Sequence, residues 1–462
     1  MAVTKFVIND NPSIAKGLDS VFFTIDLDNR LIFNADSLPK GTDVTSLIVS
    51  ITYPRTVSSA IVRMDGTKRQ GEFDYLRNPS DTIDFTGRVT LTLYSADAES
   101  SFTYLLKVNV HNENPDSICW SRMENAALPS RMPAPLNQKT VTYKDKVVSM
   151  IQEADGTYTL SQSTDPGAGE WSKASFSPGF TPDIRSFSAA DDALYILDAD
   201  GHLLKSDDAL SWTDTGAVWK SVLGGYGEKL LGIRDSGAGL LHTAYPLGEM
   251  TEQEVASGFP VQDATNLCTF SSKWAVSPTA ILAGGIDADG NMLSATWAFD
   301  GKAWTSISEY SIPPLAGASI APYYIYRQKS NVLATTEHSI WMITGGIAAD
   351  GTFNKDTYIS YDGGVNWRKG SSLVSLPDFM PGMRNADLVV FDTPMSGDFR
   401  PKAWTRALDR KAPARLPYIT DGYLVEWNCP YLYFFGGRIA GGTMSDRIWR
   451  GVLNRLKYMP IL

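Results

Sequence analysis

A chain of 462 residues, 43% hydrophobic and 20% charged, is too long for one ordinary core and too apolar for wholesale disorder, so two or three folded domains are expected. Its 41 basic and 51 acidic residues leave a net charge of −10, a sign that repels phosphate backbones and argues against a nucleic-acid partner. Cys119, Cys268 and Cys429 stand far apart, with no Cys/His cluster, which argues against a zinc site and a disulfide framework while leaving one bridge open.

The first 115 residues read as short alternating strands cut by turns. VFFTIDL (21–27), SLIVSITY (46–53), VTLTLYSA (89–96) and FTYLLKVNV (102–110) are the clearest. In VTLTLY the period of two places Val89, Leu91 and Leu93 on one face and the threonines on the other. Turn signals at Leu38-Pro39-Lys40-Gly41, Asp65-Gly66 and Asn78-Pro79 separate the strands. About seven strands without a helix predict an immunoglobulin-like β-sandwich over 1–115, followed by a polar linker at Asn112–Asp116.

Residues 116–462 carry a repeat. Six second strands recur: VVSMIQEADG (147–156), ALYILDADG (193–201), KLLGIRDSG (229–237), AILAGGIDADG (280–290), SIWMITGGIAADG (339–351) and YLYFFGG (431–437). Loop insertions on a blade's rim account for their uneven spacing. Four units are followed by a polar turn and a tryptophan: Asp165 with Trp171, Asp208 with Trp212, Asp300 with Trp304, and Ser360-Tyr361-Asp362-Gly363-Gly364-Val365-Asn366-Trp367. In the fullest of these, Asp362 is expected to accept backbone N–H bonds from its turn, with Trp367 covering the hairpin. Trp171, Trp212, Trp304 and Trp367 are expected to be largely buried. The last unit lacks an outer tryptophan strand, and Ser117-Ile118-Cys119-Trp120-Ser121-Arg122-Met123 has that form. Strand 117–123 is therefore assigned to the last blade, with Trp120 as its structural tryptophan. Such closure removes exposed sheet edges.

The Gly-Gly pairs at 284–285, 345–346 and 436–437, with tryptophan opening the outer strand, resemble Kelch and galactose-oxidase-type propellers. The Ser-x-Asp-x-Gly-x-x-Trp turn resembles the Asp-box of sialidases and related propellers. The resemblance covers about residues 118–462 and implies an all-β chain: an immunoglobulin-like sandwich over 1–115, then a six-bladed Kelch-like β-propeller over 116–462. The layout of sandwich then propeller also resembles uncharacterised cell-envelope lipoproteins of Gram-negative bacteria. That implies a place on the outer-membrane surface or in the periplasm, and a lipid anchor on a longer precursor. MAVTKFVINDNPSI has no signal-peptide character, so the chain is either cytosolic or a mature form; Thr/Ser/Asn/Asp-rich β-modules with few cysteines favour the mature form, a monomer with no transmembrane segment.

The chemistry is weighed residue by residue. A sialidase needs an arginine cluster, a Tyr/Glu pair and an Asp; Arg185, Arg234, Arg327 and Arg384 lie near inner-strand regions, but the family's Arg-Ile-Pro signature is missing. Copper-oxidase chemistry needs paired His and Tyr, and His111, His202, His242 and His338 fall at unrelated positions. The DADG segments Asp198–Gly201 and Asp287–Gly290 read as turns rather than calcium loops. No metal and no cofactor is expected. The stretch 394–430 exceeds the repeat, and Trp404, Arg406, Tyr418 and Trp427 there are the candidate ligand-binding residues, suited to stacking and charge-assisted bonds. The leading function is non-catalytic binding or adhesion toward a glycan or protein ligand. A carbohydrate-active enzyme, sialidase-like or a lyase, is the alternative.

Overall fold

In the computed structural model the chain separates into two units, residues 1–115 with 454–462 and residues 116–453. The structure describes every residue except 1, 35–36, 98, 112–113, 115–116, 271–276, 323–326, 329–340, 399–423 and 455–462, and the backbone only of 122–126, 327–328, 394–398, 424–428 and 454. Among the described residues there is no α-helix, and the single helical turn is the 3-10 turn Leu18–Ser20.

The N-terminal unit encloses one core between two unequal sheets. Lys5–Ile8 pairs with Val49–Thr52. The larger sheet runs in the order Thr24–Asp26, Leu31–Phe33, Ser101–Lys107, Val89–Ser95, Val57–Asp65, Gln70–Asp74. Val89, Leu91 and Leu93 are fully buried while Thr90 and Thr92 are half-exposed, as the alternation requires. Tyr75 joins the two sheets through its hydroxyl, which accepts from Ile51 N and donates to Val49 O, both at 3.0 Å. The division is two strands against six, with a parallel pair between Leu31–Phe33 and Ser101–Lys107. Alternation assigns a face to each residue but does not apportion strands between sheets.

The second unit consists of six antiparallel sheets that follow one another along the chain, the architecture of a propeller. Each of the six second-strand segments read from the sequence lies second from the inner strand of its sheet. Their inner strands are Asn137–Tyr143, Pro182–Ala189, Ser221–Tyr226, Cys268–Phe270, Leu315–Pro322 and Asp387–Asp398. A second strand such as Lys146–Gln152 is buried on both faces, and therefore reads as a continuous apolar run. Val148 and Met150 pack toward the second sheet, in a core with Ile184, Phe187 and Ile196. Val147 and Ile151 pack toward the sixth, with Val389, Tyr433, Phe435 and Ile448. The fifth and sixth sheets share a core through Met342, Ile359, Leu388, Leu432 and Phe434.

In the sixth sheet the strands Leu424–Phe435 and Arg447–Asn454 are followed by Ser117–Ala127, a segment from the start of the unit. Leu128 N donates to Asp446 O at 2.8 Å and Ser121 Oγ to Arg450 O at 3.4 Å. The Trp120 ring lies so close to Gly451 that a Cβ there would stand 2.7 Å from it. Of the stretch 394–430, read as exceeding the repeat, residues 394–398 and 424–430 prolong the strands on either side, and the rest lies outside the described residues. Asp387–Asp398 pairs with Leu424–Phe435 along its whole length, from Asp387↔Phe435 to Asp398↔Leu424. Continuing a ladder satisfies the backbone groups that a separate loop would leave to solvent.

The aspartates of the polar turns accept the bonds expected of them. Asp362 Oδ1 takes Asn366 N and Ser360 Oγ at 2.9 Å each, and Asp208 Oδ1 takes Leu210 N and Ser211 N at 2.8 Å each. Trp367 is buried and its indole N–H donates to Thr296 Oγ1 at 2.8 Å. Trp171, Trp212 and Trp304 are only half-buried, although each stands, like Trp367, at the start of the outermost strand of its sheet.

Two outcomes follow from this packing. His242 is 7% exposed between Phe259 and Trp304, its Nδ1 has no partner, and burial pushes its pKa down from 6.5 to about 4. The neutral imidazole is the folded form, so its contribution is intact above pH 6.5 and lost as pH falls through about 4. That loss amounts to at most about 3 kcal/mol. Urea titrations across that window should show the slope, and His242→Phe should flatten it. Separately, deletion of residues 1–115 should leave a cooperative melt, whereas deletion of 1–123 should aggregate or melt far lower. Equal melting of the two would show that Ser117–Ala127 does not hold the sixth sheet together.

Candidate functional site

The inner strands surround a cavity of about 450 Å³ whose wall includes residues of all six sheets. Charged side chains gather where those strands begin. Asp387 opens the sixth inner strand and is 5% exposed. Its Oδ1 accepts from Lys139 Nζ at 2.8 Å and from Arg185 at 3.3 Å. Its Oδ2 accepts from Gln138 Nε2 and Thr140 N, each at 2.8 Å. Arg185 also donates to Gln138 O at 2.9 Å, so one carboxylate ties the sixth, first and second sheets together. Burial, and next the repulsion of Arg185, draw the Lys139 ammonium below its usual range against the pull of Asp387.

Glycine chemistry makes this approach possible. Gly436 and Gly437 have φ of 59° and 84°, a region costly to residues with a side chain. A Cβ on Gly436 would lie 2.8 Å from the Gln138 side chain, and one on Gly437 2.7 Å from Ala386 Cβ. The second strand of the sixth sheet therefore ends tightly against the residues that orient Asp387.

A second polar group joins the fourth, fifth and sixth sheets. Asp263 accepts from Arg384 at 2.6 Å and from Asn385 Nδ2 at 2.8 Å. Its backbone O accepts from Gly317 N at 2.7 Å, and Gly317 O accepts from Asn385 N at 2.8 Å. Asp263 and Asn385 themselves adopt φ of 48° and 55°. Asp and Asn tolerate that region best among residues with a side chain, and such strain concentrates at functional sites.

The arginines read as candidates separate accordingly. Arg185 reaches the cavity wall and Arg384 stands behind it through Asp263, while Arg234 pairs with Glu252 in the third sheet. The Arg327 side chain lies outside the described residues, as do Trp404, Arg406, Tyr418 and the side chain of Trp427. His242 belongs to an apolar core and His202 is bonded to Asp198 on an exposed turn. Asp198, Asp200 and His202 lie close together, but the Asp198 carboxylate already accepts from Asp200 N, His202 N and His202 Nδ1. Lys139, Asp263, Asn385 and Asp387 were not singled out in the sequence. The available signal was a charged residue at the start of an apolar inner strand, as in Asn385-Ala386-Asp387-Leu388-Val389-Val390.

Cys268 also lines the cavity, and burial pushes its thiol up to about 12, which rules it out as a thiolate nucleophile near neutral pH. Among the described lining residues the carboxylates are Asp263 and Asp387, and no Glu, Tyr or His is present.

Residues 114–461 match the DUF6242 beta propeller domain and residues 3–108 the DUF6242 N-terminal domain, a domain of unknown function; the chain belongs to this family. A comparison with curated proteins returns no match. Among solved structures, YjhT is 15% identical, with 70% of this chain and 95% of that one covered at a TM-score of 0.40. AofleA from Arthrobotrys oligospora is 12% identical, with 75% and 96% covered at 0.37. Trypanosoma rangeli sialidase is 10% identical, with 72% and 59% covered at 0.35.

Asp387→Ala should cost about 3–5 kcal/mol by leaving Lys139 and Arg185 facing each other without their shared counter-charge. Chemical denaturation checks it, and a change below about 1 kcal/mol would show that the carboxylate does not hold the three sheets.

Proposed function

We propose that this DUF6242 chain is a non-catalytic binding protein whose propeller holds a glycan in the axial cavity. The observation that supports it is the wall itself, where Lys139, Arg185, Asp387, Asp263 and Asn385 converge from several sheets on about 450 Å³. Small-ligand sites span about 300–1,000 Å³, a scale that admits sugar rings and excludes the surface of a folded protein. Dense fixed hydrogen-bonding groups suit a polyhydroxylated ligand. The enzymatic alternative needs a carboxyl group free to move a proton. Asp387 is held by four donors and Asp263 by two, which favours binding over turnover.

The same reading takes the six sheets as six Kelch-like blades with Asp-box turns, the last completed by strand 117–123. It takes 1–115 as an immunoglobulin-like sandwich, supported by one core shared between two sheets. It places a monomeric, adhesive protein in the cell envelope, with a lipid anchor on the precursor. Composition supports that placement, and no helix among the described residues is long and apolar enough to cross a membrane.

A glycan-array screen of the full chain, run beside a chromogenic-glycoside assay, tests the function. Binding without turnover is expected, with affinity falling at least tenfold in Arg185→Ala. Turnover would establish the enzymatic reading, and binding unchanged by the substitution would move the site away from the axis.

A further inference from the structure

The charges at the cavity entrance do not balance. Arg384 and Asp263 form a pair of one cation and one carboxylate at 2.6 Å. Asp387, by contrast, carries two cations, Lys139 at 2.8 Å and Arg185 at 3.3 Å. Among the described residues of these two groups one positive charge is left over beside a partly enclosed space, in a chain whose net charge is −10.

The donors that carry this surplus are not fully used. Arg185 donates through one terminal nitrogen, to Gln138 O and Asp387; its Nε and other terminal nitrogen have no partner among the described residues. Arg185 is 31% exposed at its side chain and lines the cavity, so that edge of the guanidinium is accessible to a small molecule. Lys139 Nζ bonds only to Asp387 among the described residues, leaving two of its three protons. Further along the wall, the Ser188 hydroxyl has no partner among the described residues.

We infer that the ligand of this cavity bears a carboxylate, an acidic saccharide of the uronic-acid class, with the carboxylate on the free edge of Arg185 beside Lys139 and the ring hydroxyls toward Ser188. A planar guanidinium edge matches a carboxylate through two parallel bonds. A monoanion neutralises the single surplus charge, whereas a phosphate monoester dianion overshoots it. This inference rests on the proposal of saccharide binding and narrows it to one chemical class.

The test titrates the full chain with D-glucuronate, D-galacturonate, their methyl esters, the neutral parent sugars and glucose 6-phosphate, followed by calorimetry or ligand-observed NMR. A uronate is expected to bind at least tenfold tighter than its methyl ester and its parent sugar. Arg185→Gln should abolish that preference with its thermal melt little changed. The ester comparison needs no variant and stands if Arg185→Gln fails to fold. Equal binding of acidic and neutral sugars would overturn the inference and leave saccharide binding intact. Tighter binding of the phosphate would overturn the match to a monocarboxylate. Binding of none of these sugars, with no hit on the array, would remove both.

Discussion

Burial of the second strand on both faces is the condition from which the rest of the propeller follows. A strand such as Lys146–Gln152 places Val148 and Met150 against one neighbouring sheet and Val147 and Ile151 against the other. No sheet of this kind has a stable free face, so each needs a partner on either side. The first sheet meets that need by packing on the sixth, through Tyr433, Phe435 and Ile448. The interfaces between neighbouring sheets hold apolar clusters of their own, two of them between the third and fourth sheets, and the stability of any one sheet depends on both of its neighbours.

Those packed sheets hold the polar groups of the axis in place. The inner strands start close to one another, which would crowd side chains and backbone alike. Gly436 and Gly437 relieve the crowding at the sixth sheet and leave room for Gln138, whose amide donates both to Phe435 O and to Asp387. Asp387 then gathers Lys139 and Arg185. A conformational property of two glycines thus becomes the electrostatics of a cavity. Gly317 acts likewise: a Cβ there would stand 2.4 Å from Asn385 Oδ1.

Periodicity and turn chemistry were legible because they are local. The alternation of Val89, Leu91 and Leu93, the apolar run at Ala193–Leu197 and the aspartate of Ser360–Trp367 each act within a few residues. The uneven sheets of the first unit were not legible, since alternation does not say which strand pairs with which. Nor was the half-exposure of Trp171, Trp212 and Trp304, since Trp367 holds the same place in its unit and is buried, a difference that depends on neighbours distant in sequence such as Thr296. The long ribbon of Asp387–Asp398 with Leu424–Phe435 was not legible, because the stretch from 394 to 430 exceeds the repeat and pairing between its ends is not a local pattern.

By itself the sequence determined an all-β chain, the order of its second strands, and the positions where glycine pairs and aspartate turns punctuate the repeat. The tertiary structure alone decided which charged residues meet. Lys139 and Asp387 are 248 positions apart and Asp263 and Arg384 are 121 apart, with no spacing rule to join them. They lie at or just before the beginnings of three inner strands, the first, the fourth and the sixth, and only packing of the sheets brings those beginnings together. Local patterns report the free energy of one strand against water. The charge surplus beside Arg185 depends on contacts among three sheets that no local pattern contains.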